Sequence, residues 1–216
     1  SKYYSEGAVS DQAHSERIFK ARIRARGMSS LQEGEAEFPK LIVEIDDIEK
    51  LGGTTFKDAR KFRVNTHVAT DPKSPHTGMG RLNGEQSPLR EGLAYELARA
   101  LDLETPATRV IRIDYVDTQT KQNFTRNALL IETKQKLEAR MRAEAIPCGV
   151  FAEVNPTGIN PVHGAIFHLY HKLIGNADVG LRVNEEPRVA TEKYRPLFNT
   201  FVMQRSDGSR KPVVYD

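Results

Sequence analysis

Apolar and polar positions alternate in short blocks over much of the first two thirds of the chain, and they recur at helical spacing in three places. In "RIFKARIRARG", residues 17–27, Ile18, Ala21, Ile23 and Ala25 roughly share one side while Arg22, Arg24 and Arg26 share the other. That is the period of a strand, ended by Gly27. "PKLIVEID" has the β-branched, apolar character of a buried strand, and "KFRVNTHV" sets Phe62, Val64 and Thr66 opposite Lys61, Arg63 and Asn65. The three segments predict an antiparallel meander, with a turn at Gly52-Gly53. Residues 1–15 are polar and aperiodic, and read as a flexible tail.

A loop rich in Pro, Gly and Asn follows, over residues 71–88. Ser87 as a cap and Pro88 in the first turn open a helix in which Leu89, Leu93, Leu97 and Leu101 fall on one stripe, the expected core face. "TRVIRIDYVD" and "NFTRNALLIE" flank the turn-forming "TQTKQ" and predict a hairpin. "KQKLEARMRAEA" reads as a charged helix running to Pro147, and "VNPTGINPVHG" as a loop. Ile166, Phe167, Tyr170, Leu173 and Ile174 return at helical spacing before Gly175, a residue suited to positive φ just past a helix end. Asn176 and Asp178 therefore lie on an anchored turn. "PLFNTFVMQ" and "KPVVYD" predict two further strands, joined at the Asp-Gly of "RSDGSR". The class is α+β: a tail at 1–15, a β-rich region over 16–133, and a more helical part over 134–216.

Composition narrows this little. The 216 residues carry 32 basic and 29 acidic side chains, a near balance that argues against a nucleic-acid partner, which clustered Lys and Arg would serve. One cysteine, Cys148, excludes an internal disulfide, and no paired Cys/His spacing suggests structural zinc. No apolar run approaches the roughly 20 residues of a membrane helix. "SRKPVVYD" stops directly after an apolar run, where another element is expected to follow.

The order of candidate side chains is more informative. Phosphoryl transfer needs a base for the phosphates, an acid to fix it, a carboxylate for the incoming hydroxyl, and an Asn and an Asp for metal. The chain offers Lys61 or Arg63 on the third strand, Glu91 on the next helix, then Asp178, Asn199 and Asp216, which is the protein-kinase order. It has no GxGxxG, no His-Arg-Asp and no complete Asp-Phe-Gly. "RARGMSS", "EFPKLIVEID", "KFRVNTHV", "LREGLAYELA", "VIRIDYVDT", "LIGNADVG" and "PVVYD" together resemble a family of bacterial proteins related to CotH, spore-coat protein kinases with an atypical kinase fold. The resemblance spans about residues 18–216. It implies a protein-kinase-like fold with an antiparallel N-lobe, ATP with magnesium or manganese as cofactors, and a protein or small-molecule hydroxyl as acceptor. It further implies Asp178 as the catalytic-loop aspartate, Asn199 and Asp216 as metal ligands, and Glu91 as the helix partner of the base. The turn carrying Arg26, Gly27, Ser29 and Ser30 would lie over the phosphates. Met28, Ala177, Val179 and Phe198 depart from the residues common at those family positions. Related proteins often carry export signals, so the resemblance implies an extracytoplasmic setting.

Other readings stay open from the residues alone. Asp178 suits a plain turn and Glu91 suits the first turn of any helix. A kinase fold kept as a silent binding or scaffold module, and a metal-dependent phosphoester hydrolase using Asp178 and Asp216, are the two alternatives. His163, His168 and His171 lack metal-ligand spacing and are expected on a helix surface or behind a site.

Overall fold

A computed structural model describes residues 4–11, 14–26, 38–54, 56, 60–67, 86–116, 120–146, 158–176 and 200–215. The chain divides into two compact units: Ser1–Gly92 with Thr108–Thr133, and Leu93–Ala107 with Lys134–Asp216. No helix among the described residues is long and apolar enough to cross a membrane.

The first unit is built on a six-stranded antiparallel sheet. Its strands are β1 (Ser5–Asp11), β2 (His14–Ala25), β3 (Leu41–Ile45), β4 (Lys61–Asn65), β5 (Thr108–Val116) and β6 (Asn123–Ile131), in the order β1-β2-β3-β4-β6-β5. The expected meander is β2-β3-β4, paired Ile23 to Val43 and Val43 to Phe62. The expected hairpin is β5-β6, paired from Thr108–Ile131 to Val116–Asn123. One face of the sheet carries Phe19, Ala21, Val43, Ile45, Phe62, Val64 and Ala128, closed by Leu51 and Phe56. Phe56 stacks on Phe62 and meets Phe19 edge-on. Each large side chain buried there contributes about 1.5–3 kcal/mol.

Two expectations for these strands fail. Residues 5–11, read as tail, form β1, because the edge of β2 supplies the ladder partners that β1's own polar pattern does not advertise. Ile18 points outward at 69% exposure and Phe19 inward, so the inward row of β2 is Phe19, Ala21 and Ile23.

Helix α1 (Ser87–Ala100) starts where Ser87 and Pro88 predict, but its inward face is the opposite of the leucine stripe. Leu93 is 70% exposed, and Leu89 and Leu101 are also exposed, whereas Pro88, Gly92, Tyr95 and Ala98 are buried. The small residue decides this. A Cβ at Gly92 would lie 3.2 Å from Leu129 Cδ1 and 3.4 Å from Val110 Cγ2, so at Gly92 the helix backbone sits directly on β5 and β6.

The second unit holds α2 (Lys134–Met141), β7 (Ala143–Ala145), α3 (Pro161–Leu173), β8 (Thr200–Arg205) and β9 (Arg210–Val214). The charged helix is shorter than expected: Arg142 takes φ 52°, the chain turns, and Ala143–Ala145 pairs with Met203–Arg205. Leu137, Met141, Ala143, Met203 and Val213 form the core of this small sheet and helix. The β8–β9 hairpin turns at Gly208, φ 80°. Part of the expected loop "VNPTGINPVHG" is the start of α3, with Asn160 Oδ1 accepting from the backbone of Val162 and His163, and with Pro161 in the first turn. At its other end Gly175, φ 71°, donates to Lys172 O and Asn176 N donates to His171 O. That reciprocal pair closes the helix as a Schellman motif and accounts for the Gly-Asn sequence there.

Candidate functional site

The face of the first unit's sheet opposite its apolar core is polar at its centre. Side chains two apart on β4 share a face, so Lys61, Arg63 and Asn65 stand in one row, opposite to Phe62 and Val64. That much was expected. Their burial was not: Arg63 is 5% exposed and Asn65 2%. β4 is an interior strand between β3 and β6, with Arg63 flanked by Ile42 and Ile131, and its polar side chains are covered.

Asn65 is the joint of the cluster. Its amide Nδ2 donates to both carboxylate oxygens of Glu91 on α1, at 2.7 Å each. Its Oδ1 accepts from the Arg26 guanidinium just past β2. One amide thus ties the end of the first meander strand and the opening turns of α1 to the third meander strand. The local supports are visible: Arg26 N donates to Lys40 O at 2.7 Å, continuing the β2–β3 ladder by one step, and the close seat of Gly92 fixes the neighbouring Glu91 against the sheet. Beyond Asn65 the strand is held by Thr66 Oγ1 donating to Phe38 O at 2.5 Å and by the buried His67 ring, 4.3 Å from that of Phe38. Phe38 also meets Tyr115 and Phe124, and burial pushes the Tyr115 hydroxyl up to about 12.

Lys61 is differently placed. Glu44 gathers Arg22 at 3.3 Å, Arg60 at 3.6 Å and Lys61 at 3.9 Å, so Lys61 belongs to a partly exposed charge network at the other end of the row. Arg22 also meets Asp46 at 2.9 Å, and Asp46 with Glu44 holds its guanidinium above the usual range. Arg24 Nε donates to the Tyr4 hydroxyl at 3.2 Å.

Of the side chains singled out from sequence, Arg26 and Glu91 come together through Asn65, and Arg63 is the next side chain along the same face. Gly27, Ser29, Ser30, Asp178, Asn199 and Asp216 lie outside the described residues. Asn65 carries the geometry, although in the sequence it is only one of three polar residues on a strand face. An available signal was an amide inside the segment between two strongly apolar strands, where a buried polar group needs partners. Of the two expected placements, His171 does not take the helix surface: it is 3% exposed, 4.4 Å from the Phe167 ring, and burial brings its imidazole down to about 4.

Chemically, the cluster joins guanidinium, amide and carboxylate. Guanidinium groups match phosphate oxygens in a planar fork, and a carboxylate bound to the same buried amide helps to fix such a group in place. Among the described residues no group of three or more His, Cys, Asp or Glu side chains comes together as a metal site. No protein-family model, no curated protein and no solved structure matches the chain.

Proposed function

We propose that the protein is a phosphotransferase of the CotH-like, kinase-like kind, moving the terminal phosphoryl group of ATP to a hydroxyl with magnesium or manganese. The observation that carries the reading is the Arg26–Asn65–Glu91 chain. A carboxylate on the helix after an antiparallel meander, fastened to the third meander strand beside a basic residue, parallels in position the strand-lysine and helix-glutamate pair of protein kinases. In this reading Arg63 is the strand base in preference to Lys61, because Arg63 neighbours Asn65 on the buried face while Lys61 is drawn to Glu44. Arg26 and the turn through Gly27, Ser29 and Ser30 cover the phosphates, Asp178 receives the hydroxyl, and Asn199 with Asp216 holds the metal.

The test is transfer of labelled phosphate from ATP to candidate protein and small-molecule acceptors. Asp178→Asn is expected to abolish transfer while leaving the melting temperature unchanged, and full transfer by that variant would remove Asp178 from its role. A second reading is a silent nucleotide-binding or scaffold module, in which the Asn65 link to both Glu91 oxygens serves binding alone. Nucleotide binding with no transfer to any acceptor selects it. Release of phosphate from a generic ester without ATP would instead favour the hydrolase alternative.

A further inference from the structure

We propose that the second unit carries a separate binding site for a phosphate monoester, in a cavity of about 490 Å³ lined by Glu104, Arg140, Arg142, Arg205, Ser206 and Asp207. The cavity is formed where the end of α2, the turn into β7 and the β8–β9 hairpin meet the segment after α1, and none of its residues belongs to the Arg26–Asn65–Glu91 chain.

Three guanidinium groups line one concavity, and the acids beside them are already engaged. Glu104 Oε1 accepts from Lys211 Nζ at 2.9 Å. Asp207 accepts from Ser209 N at 2.8 Å, and the Ser209 bonds hold its carboxyl below the usual range. Arg140 has a structural use, donating to Thr105 O at 2.7 Å. Arg142 has no side-chain hydrogen bond or ion pair among the described residues, and Arg205 interacts electrostatically with Asp207 without a direct hydrogen bond to it. The lining thus sets three cations against two carboxylates.

Arg142 holds φ 52° where α2 ends, the left-handed turn common just past a helix C-terminus, and this turn sets its side chain beside the cavity. A basic residue at the end of a helix has a plain explanation in the helix dipole, but Arg140 already supplies it. The same dipole opposes an anion here with about half a unit charge, and two full guanidinium charges outweigh it.

The ligand class follows from the donors. Two planar guanidinium forks and the Ser206 hydroxyl suit a group with three terminal oxygens, which a phosphate monoester has and a carboxylate lacks. The volume lies within the roughly 300–1,000 Å³ of small-molecule sites, leaving room for the group esterified to the phosphate. The phosphate could arrive on a small metabolite or on a phosphorylated side chain.

Isothermal titration at constant ionic strength tests this with inorganic phosphate, and with a short phosphoserine peptide beside its unphosphorylated form. One saturable site is expected for both phosphorylated probes and none for the unphosphorylated peptide. Arg142→Gln with Arg205→Gln should weaken binding about tenfold or more. Arg142→Gly removes the guanidinium while favouring the same backbone, and Arg205→Gln leaves the α2 turn untouched, so each single variant checks the loss without relying on the double variant's folding. Saturable phosphate binding that persists in the folded Arg142→Gln, Arg205→Gln variant would move the anion out of this cavity and overturn the assignment. Absence of saturable binding at millimolar probe, or unchanged affinity in the folded Arg variants, would also overturn it. Tighter binding of the peptide marks a side-chain source, and equal binding a free ester.

Discussion

A buried amide between a guanidinium and a carboxylate is a demanding arrangement, and Asn65 meets it because an amide donates at one end and accepts at the other. Truncating it removes a donor from a carboxylate and an acceptor from a guanidinium at once. Asn65→Ala should therefore cost about 2–3 kcal/mol in chemical denaturation, more than removal of an exposed polar side chain. Asn65→Asp should cost at least as much, since it sets a second carboxylate against Glu91, and Glu91→Gln in that background should recover part of the loss. A double-mutant cycle measures this, and additive effects would dissolve the proposed joint. His171 gives a pH signature. Its folded pKa of about 4 lies below the ordinary 6.5, so the unfolded chain binds more protons between those values. Stability is fully present above the upper value and falls as pH drops toward the lower one, by up to about 3 kcal/mol. The neighbouring His168 pushes the same way, and denaturation midpoints of His171→Leu should show a shallower decline from pH 7 to pH 4.5. Site chemistry at this scale was half legible. Arg26 and Glu91 stand out by residue type and position, but the bonds through Asn65 span 39 and 26 residues, and no local pattern encodes such distances.

At the scale of elements, period told which segments extend and which coil, and it told less about which way a helix turns. The strands β2 to β6 announce themselves because alternation survives burial of one face. β1 and β7 do not, because edge and three-residue strands take their conformation from a neighbour's ladder. The face of α1 differs from the leucine stripe for a physical reason: four leucines outweigh Gly92, Tyr95 and Ala98 in hydrophobicity, but close approach to Leu129 at Gly92 rewards the absence of a side chain. Leu93→Gln should consequently change stability by no more than about 0.5 kcal/mol, whereas Tyr95→Ala should cost about 3–5 kcal/mol. Equal losses in thermal denaturation would restore the leucine stripe as the packed face. The Schellman closure of α3 was legible in advance, since Gly175 supplies a backbone conformation that other residues avoid.

At the scale of the whole chain, phosphoryl transfer and the second-unit anion site make separable demands, and one set of melting curves separates them. A ligand that binds only the folded state stabilises it by about 2.7 kcal/mol at a hundredfold excess over its Kd, which for a chain near 200 residues is about 5–10 °C. ATP with magnesium should produce a shift of that order in the parent protein. Glu91→Gln should shrink it, because the amide replaces the carboxylate charge that the Asn65 link sets beside the bases while keeping the side chain's shape. The Arg142→Gln, Arg205→Gln pair should keep any part that depends on metal and lose only what inorganic phosphate alone can produce. If the shift needs neither metal nor Glu91 but vanishes with the two arginines, ATP is acting merely as a phosphate ester in the second unit. The kinase-like reading of the first unit would then lose its support, while the anion site would stand. A shift that needs metal and Glu91 yet accompanies no transfer to any acceptor would leave a nucleotide-binding module, with the Arg26–Asn65–Glu91 chain retained for binding alone.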